Sequence, residues 1–330
     1  MRPILCLCLL AFTAWGQDDA AAIFRTTSQL VLLDVQVLRA KTQTSTGGLE
    51  AKDFEVYEDG ARQEVSVFGR ERFPLSIVLL FDLTSSVHGV LRRLADSAEN
   101  VLQHLRPEDE VAVMTYSASA QLVDGFTTDR QRTATAIGRA AAMKSGEAAF
   151  FNEAVFQAAR QLEQSHTATS RRVVLWLTDN FPDAPSGFMR SHYGKSLKGA
   201  PPHTEAEAIR ALHESGTVVT ALLLKDPLAM MWAEALYAAE GPARLKYPAG
   251  NAHSYAEITG GVSPGMRGKN VEERLAEAID GLRSRYTIGY RPANARPAGT
   301  FCRVHVALAA GGPLRSQEWK VLVRQGYYRK

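Results

Sequence analysis

The chain has 330 residues, of which 45% are hydrophobic and 22% charged, a composition typical of a folded globular protein and far from that of a disordered one. Its formal net charge is +3, and removal of a predicted leader containing Arg2 leaves 37 basic against 35 acidic residues. This balance excludes nucleic acid as an expected partner, and the length suggests about two domains, since a domain typically takes roughly 100 to 200 residues.

Residues 1–16 have the outline of a secretory signal peptide. Arg2 precedes an apolar run of about ten residues, and small residues at Ala14 and Gly16 favour a cut before Gln17. So short a run does not span a bilayer. We therefore predict a secreted, periplasmic or cell-envelope protein with no stable membrane span; an uncleaved anchor is the alternative.

The cysteines indicate how the mature chain is stabilised. Cys6 and Cys8 leave with the leader, so only Cys302 remains. No intramolecular disulfide is then possible, and stability must come from core packing although the predicted compartment is oxidising. Cys302 is expected to be buried in a strand, and an intermolecular bridge is the alternative.

Residues 17–72 are predicted to form a β segment. From Leu30 to Arg39 one side of the alternating pattern is entirely apolar from Val31 to Val37, whereas the other carries Asp34 and Gln36, which is typical of a strand. The pair Asp59-Gly60 lies between two further strand-like runs and predicts a tight hairpin. About three strands are too few for an independent core, so this segment needs a partner.

The run from Leu75 to Phe81 is almost entirely apolar and suits a strand buried on both faces of a parallel sheet. Asp82 ends this run, and Thr84 and Ser86 follow at alternate positions. In open α/β sheets, ligands bind at the carboxyl ends of the strands. The alternative is a purely structural role, in which these polar residues only cap the helix that follows.

A second apolar run, 171–178, also ends in an aspartate, Asp179. If both runs are parallel strands of one sheet, Asp82 and Asp179 approach each other at a shared edge. Two carboxylates with the hydroxyls of Thr84 and Ser86 form an oxygen-only ligand set, which suits Mg²⁺, Mn²⁺ or Ca²⁺ rather than zinc or copper.

The rest of the central region alternates helices with strands. Helices are predicted at 87–105, 129–143, 152–164, 205–215, 227–239 and 271–285, and strands at 110–117, with an edge strand to 126, and at 217–224. The segment 181–202 is rich in proline and glycine, so it is either a loop of the binding surface or a flexible insertion.

Strand patterns return after Tyr286. Runs at 286–292, 299–306, 319–324 and 326–327 form a second β segment, 285–330. Because the two β segments come from opposite ends of the chain, they have to pair if each is to bury its apolar face. We predict a small β module built from 17–72 and 285–330, with an α/β domain at 73–284 inserted between them.

The residues at the predicted sheet edge resemble a known site. Asp82, Thr84 and Ser86 are similar to the DxSxS element of the metal-ion-dependent adhesion site in von Willebrand factor type A (VWFA) domains, with threonine in place of the middle serine. Asp179, within LTDN, resembles the later aspartate of that site. The resemblance implies a doubly wound, Rossmann-like fold with a mostly parallel sheet.

The third element of that site departs from the family pattern. The family has a threonine in the loop between the two strands, whereas this chain has Ala148 or Ala149 there. Since a methyl group cannot ligate a metal, the site is degenerate, and binding of Mg²⁺ or Mn²⁺ is expected to be weakened or lost. Glu147, in the same loop, is the residue that could compensate.

The flanking segments resemble a family of secreted bacterial proteins, the acidobacterial-type VWFA-related domain family. The stretch from Gly48 to Phe68 matches its phrase GLxxxDFEVxEDGxxQxVxxF, and the tail contains YxxGYxP from Tyr286 and RxGY from Arg324. The resemblance covers nearly all of the mature chain.

The resemblance implies a non-enzymatic, exported protein-binding module. An intact adhesion site leaves one metal position open for a partner's Glu or Asp, so a protein partner with an acidic side chain is expected. The alternative is a structural or assembly component of the envelope with no metal bound.

A hydrolase is the remote alternative. An aspartyl-phosphate hydrolase needs a second acid where Thr84 stands, and Ser85 and Ser86 lack a Gly-x-Ser-x-Gly elbow. No catalytic residue is therefore assigned.

Overall fold

The computed structural model describes residues 30–42, 44–70, 73–117, 119–146, 149–167, 169–180, 203–224, 252–265, 270–294, 296–314 and 318–330. The predicted signal peptide 1–16, the segment 181–202 and the predicted helix 227–239 lie outside these residues.

The strands of the described part are β1 (Val31–Arg39), β2 (Phe54–Glu58), β3 (Ala61–Gln63), β4 (Val65–Gly69), β5 (Leu75–Asp82), β6 (Glu110–Tyr116), β7 (Ala120–Thr127), β8 (Arg171–Thr178), β9 (Val218–Leu223), β10 (Tyr286–Tyr290), β11 (Phe301–Leu308), β12 (Trp319–Leu322) and β13 (Gly326–Tyr328). The helices are α1 (Ser85–Asp96), α2 (Ala98–Leu102), α3 (Arg130–Ala142), α4 (Phe151–Leu162), α5 (Glu205–Ser215), α6 (Ala252–Thr259) and α7 (Val271–Arg283). A short 3-10 helix covers Ala51–Asp53.

The central sheet has the order β7-β6-β5-β8-β9, in which β7 is antiparallel and the other four strands are parallel. Every residue of β5 is buried, as its apolar run predicts for the middle of a parallel sheet. Helices α1, α2, α3 and α7 pack on one face, and α4, α5 and α6 on the other. The predicted doubly wound α/β fold is confirmed.

Two smaller antiparallel sheets flank this domain, with the orders β12-β1-β10-β4 and β13-β11-β2-β3. Each contains strands from both ends of the described chain, so the predicted pairing of the two β segments is confirmed. Their inner faces share one core that includes Val35, Val56, Ile288 and the buried, unpaired thiol of Cys302. The domain borders at residues 16/17, 72/73 and 284/285 stay predictions.

Two details differ from the sequence prediction. The single helix expected at 87–105 is two helices, broken at Ser97. The hydroxyl of this residue donates to the Glu272 carboxylate (2.6 Å) and lies 3.1 Å from the Arg93 carbonyl oxygen. The hairpin forms at Asp59 and Gly60, which have φ of 48° and 83°. Its second strand then stops at Gln63, because the chain crosses to the other sheet as β4.

No helix among the described residues combines the length and the apolar character needed to cross a bilayer.

A buried carboxylate links the two sheets of the β module. Glu58 at the end of β2 is 5% exposed, and its Oε2 accepts hydrogen bonds from the hydroxyls of Tyr290 (2.7 Å) and Tyr327 (2.9 Å). Burial raises the pKa of both tyrosines, and the hydrogen bonds to Glu58 raise it further. The two tyrosines therefore remain protonated donors.

We expect Tyr290→Phe to lower the free energy of unfolding by about 1–2 kcal/mol, because it removes one donor from a buried carboxylate. Equilibrium urea unfolding measures this loss. Tyr57→Phe is the matched control, since its hydroxyl bonds to Glu55 (2.9 Å) at the protein surface. Equal losses in the two variants would contradict a special role for the Glu58 cluster.

Candidate functional site

The site lies where two neighbouring strands of the central sheet end. Strand β5 ends at Asp82, and β8 ends at Thr178, directly before Asp179. The Thr84 and Ser86 hydroxyl oxygens are 3.2 Å apart, and the Ser86 hydroxyl donates to Asp179 Oδ2. The structure thus brings Asp82, Thr84, Ser86 and Asp179 together; we call these four residues the Asp82 edge. Their role as metal ligands stays a prediction.

The Asp82 carboxylate is fully buried and engaged by the protein itself. Its Oδ1 accepts a hydrogen bond from the Thr84 backbone N–H at 2.8 Å. Its Oδ2 accepts from the hydroxyls of Tyr116 and Thr178, each at 3.0 Å. Three donors, from β6, from β8 and from the loop after β5, therefore meet on one side chain.

Burial and charge act on Asp82 in the same direction. Desolvation is the larger cause that raises its pKa and the nearby negative charge of Asp179 is the second, while the hydrogen bonds from Thr84 and Tyr116 oppose them; the resulting pKa is about 6. The carboxylate is thus a weaker acid than an exposed aspartate.

Sequence reasoning missed Tyr116 and Trp176. The Trp176 indole N–H donates to the Tyr116 hydroxyl oxygen at 2.9 Å, and both side chains are buried. Tyr116 ends β6 and lies directly opposite Asp82 in the strand register. A polar aromatic residue at the end of the neighbouring strand was the signal that could have identified it.

The loops beside the edge are tied to it by backbone contacts. Gly146 N–H donates to the Leu83 carbonyl oxygen at 3.0 Å, which places the end of the 144–146 stretch next to Thr84. Asn180, at φ 57°, donates its N–H to Thr178 Oγ1 (3.0 Å) and accepts from the Ala252 N–H at the start of α6 (2.7 Å).

Helix capping alone does not explain these polar residues. Thr84 is the N-cap residue of α1, but its side chain makes no capping hydrogen bond. Its hydroxyl instead contacts Ser86. The side chains are thus directed at one another, across the end of the helix.

Donor chemistry tests whether these residues fit a divalent cation. Mg²⁺ demands an octahedral set of oxygen ligands. Thr84, Ser86 and Asp179 offer oxygens, but Asp82 is already occupied by three protein donors. Ala149 presents a methyl group buried in the core, and Glu147 and Ala148 lie outside the described residues.

The described residues contain no group of three or more His, Cys, Asp or Glu side chains placed to hold a metal ion. Because protein donors already use three of the roughly four acceptor positions of the Asp82 carboxylate, the donor set at the Asp82 edge is a poor fit for a resident cation that uses Asp82 as a ligand.

Comparison with protein-family models gives a sequence match. Residues 77–181 match the family model described as the von Willebrand factor type A domain. No curated protein sequence matches the chain.

Several solved structures are similar to parts of the chain. The conserved hypothetical protein BatB from Bacteroides thetaiotaomicron is 15% identical, with 63% of this chain and 98% of that chain covered and a TM-score of 0.42. A von Willebrand factor type A protein from Catenulispora acidiphila is 10% identical (91% and 75% covered, TM-score 0.42). Proximal thread matrix protein 1 from the mussel byssus is 12% identical (68% and 49% covered, TM-score 0.42).

The matched region begins in β5, ends just after β8 and includes all four residues of the Asp82 edge. The chain therefore contains a von Willebrand factor type A domain.

Proposed function

We propose that this chain is an exported, non-enzymatic protein-interaction module that binds a protein partner at the Asp82 edge. The presence of a VWFA domain supports protein interaction in general. Membership of the secreted acidobacterial-type VWFA-related family, and export through a cleaved signal peptide, are proposed from the sequence resemblance.

The observation that carries the proposal is the convergence of the edge residues on one rim of the sheet. Ser86 is exposed and contacts both Thr84 and Asp179, so the rim offers hydroxyl and carboxylate oxygens to a partner. Ligands of open α/β sheets bind at this rim. A partner with hydrogen-bonding side chains fits these groups.

The same contacts argue against a serine hydrolase. The Ser86 hydroxyl donates to the Asp179 carboxylate rather than to a histidine. The His88 Nε2 atom lies 2.9 Å from the Met143 carbonyl oxygen, so this imidazole is engaged elsewhere. A serine nucleophile of the Ser-His type needs its histidine within hydrogen-bonding reach, and the contacts of Ser86 and His88 do not form such a pair.

A structural or assembly role in the cell envelope is the second candidate. The three protein donors to Asp82 favour it, because these hydrogen bonds can offset the charge of the carboxylate without a metal. In that case the β module would provide the contacts, and the Asp82 edge would not be needed for binding.

The test is affinity capture from an envelope extract, using residues 17–330 as bait and mass spectrometry to identify the captured protein. We expect the wild type to capture one partner and the double variant Thr84→Ala/Ser86→Ala to lose it. Direct binding of the purified partner, measured by biolayer interferometry, then gives the affinity of each variant.

Thr135→Ala is the matched control, because it removes an exposed threonine hydroxyl from α3, far from the edge in sequence. Unchanged capture by the edge variant, together with loss of capture by Arg303→Ala on β11, would favour the structural role. A chelator arm tests the predicted acidic side chain of the partner, since that contact depends on a bound cation.

A further inference from the structure

The hydrogen bonds around Asp82 have fixed directions. An indole N–H can only donate, so the Trp176 N–H places its proton on the Tyr116 oxygen at 2.9 Å. The Tyr116 hydroxyl proton can then point at Asp82 Oδ2, whose distance of 3.0 Å is shorter than the 3.3 Å to Thr178 Oγ1.

The second hydroxyl is oriented in the same way. A backbone N–H also only donates, and that of Asn180 points to Thr178 Oγ1 at 3.0 Å. The Thr178 proton therefore points to Asp82 Oδ2 at 3.0 Å. Both hydroxyl protons converge on one carboxylate oxygen, and the Thr84 N–H covers the other.

This network is excluded from water. Asp82, Trp176 and Thr178 are 0% exposed, and Tyr116 is 1% exposed. Hydrogen bonds are electrostatically stronger in such an environment, and an unpaired polar group there is costly. A cation could bind Asp82 Oδ2 only by displacing one of the two hydroxyl donors. The displaced hydroxyl is buried, so it could not form a hydrogen bond with solvent instead.

We propose that the hydroxyls of Tyr116 and Thr178 take the place of a cation at the Asp82 edge: together with the Thr84 N–H they offset the Asp82 charge and hold the ends of β5, β6 and β8 in place without a metal. Trp176 and Asn180 act as positioning residues, because they set the direction in which the two hydroxyls donate.

This inference deepens the proposed function, and it rests on that function for one consequence only: partner binding should be insensitive to chelators. The rest concerns the free protein. Measurements made without a partner can therefore fail while the proposed function holds, and the capture experiment can fail while this inference holds.

The first test is titration of the metal-stripped, purified chain with Mn²⁺, followed by electron paramagnetic resonance of the free ion. We expect no saturable binding, and the same melting temperature in Mg²⁺, in Mn²⁺ and in EDTA. Saturable Mn²⁺ binding that is lost in Ser86→Ala would overturn the inference. This test uses the wild type and so does not depend on any variant folding.

The second test is a double-mutant cycle between Tyr116→Phe and Asp82→Asn, read by thermal unfolding. Alone, Tyr116→Phe should lower the melting temperature by about 2–4 °C, as expected for the loss of one buried hydrogen bond. In the Asp82→Asn background the same change should have a clearly smaller effect, since the charge that the hydroxyl serves is gone.

Tyr255→Phe is the matched control for this cycle. Its hydroxyl is also part of the domain core but bonds to Asn152 at 2.7 Å, not to Asp82. Its effect should be the same with Asp82 and with Asn at position 82. If Tyr116→Phe lowered the melting temperature by the same amount with Asp82 and with Asn at position 82, the Tyr116 hydroxyl would not act on the Asp82 charge and the inference would be wrong.

Discussion

Replacing Asp34 by Ala is expected to lower the free energy of unfolding by about 3 kcal/mol, the low end of the cost of breaking a buried ion pair. Asp34 lies on β1, and its Oδ1 accepts a hydrogen bond from Arg171 Nε at 2.8 Å. The Arg171 side chain is 2% exposed and that of Asp34 is 27% exposed, so the pair is largely shielded from water. We use the low end of the range for buried ion pairs because Asp34 keeps some contact with solvent.

Asp34 balances more than one arginine at the junction of the β module and the VWFA domain. Arg285 is 1% exposed; burial lowers its pKa to about 10, and the negative charge of Asp34 opposes that shift. Burial also lowers the pKa of Arg324, and Asp34 again opposes it. Without the Asp34 carboxylate, the buried positive charges of Arg171, Arg285 and Arg324 all lose a nearby negative charge that offsets them.

Other contacts of these arginines show why they cannot simply move to solvent. Arg171 Nη1 donates to the Leu282 carbonyl oxygen at 2.6 Å, and Arg285 donates to that of Gly260. Both acceptors belong to the α/β domain, at the ends of α7 and α6. The junction thus couples the two parts of the chain through charge as well as through apolar contact.

Equilibrium urea unfolding of the wild type, Asp34→Ala and Asp34→Asn measures the effect. Asp34→Asn keeps the shape of the side chain, so most of the loss should appear in it as well if charge is the cause. Glu318→Ala is the control, because its pair with Arg39 is 3.8 Å long and more than half exposed on both sides, and such pairs contribute little. Equal losses for Asp34→Ala and Glu318→Ala would show that the junction is not an electrostatic one.

The fold could be predicted because its main determinants are local patterns. The run at β5 is apolar up to Phe81 at every position except Ser76, which already indicates the centre of a parallel sheet. Two such runs that each end in an aspartate place Asp82 and Asp179 on one rim, since parallel strands share their carboxyl edge. The β segments at the two ends of the chain each have one apolar face, and they can bury these faces only by pairing with each other.

The rest depended on tertiary register, which a sequence pattern does not contain. Tyr116 acts on Asp82 because β6 pairs with β5 in the register that sets the two residues side by side. Arg171 looks like an ordinary strand start, yet it is buried because β1 packs its Asp34 face against that end of the sheet. The break at Ser97 likewise needs Glu272, which is 175 residues away along the chain.

Acid is expected to destabilise the protein through His213. This residue lies on α5, is 5% exposed, and its ring centre is 5.1 Å from that of Phe301 on β11. Burial, and after it the positive charge of Arg324, lower its pKa, while a hydrogen bond with the Gly326 backbone opposes them; together they bring the pKa from 6.5 to about 4. Its Nδ1 atom is buried and has no hydrogen-bond partner among the described residues, so a proton there would find no acceptor.

The sign of the effect follows from which state binds the proton. Below pH 6.5 the unfolded chain protonates this histidine, whereas the folded chain keeps it neutral until about pH 4. The contribution of His213 to stability is therefore complete above pH 6.5 and is lost as the pH falls through this window. At about 1.4 kcal/mol per pH unit, the loss approaches about 3 kcal/mol at the lower end.

Urea unfolding at a series of pH values between neutral and 4 measures this slope in the wild type and in His213→Leu. We expect the variant to lose clearly less stability on acidification, since it has no group to protonate at that position. His166→Gln is the control, because its side chain is 74% exposed and its removal leaves the buried site intact. If His213→Leu and the wild type lost stability in parallel, the acid sensitivity would come from other groups, and the contact between α5 and β11 would be a neutral packing contact only.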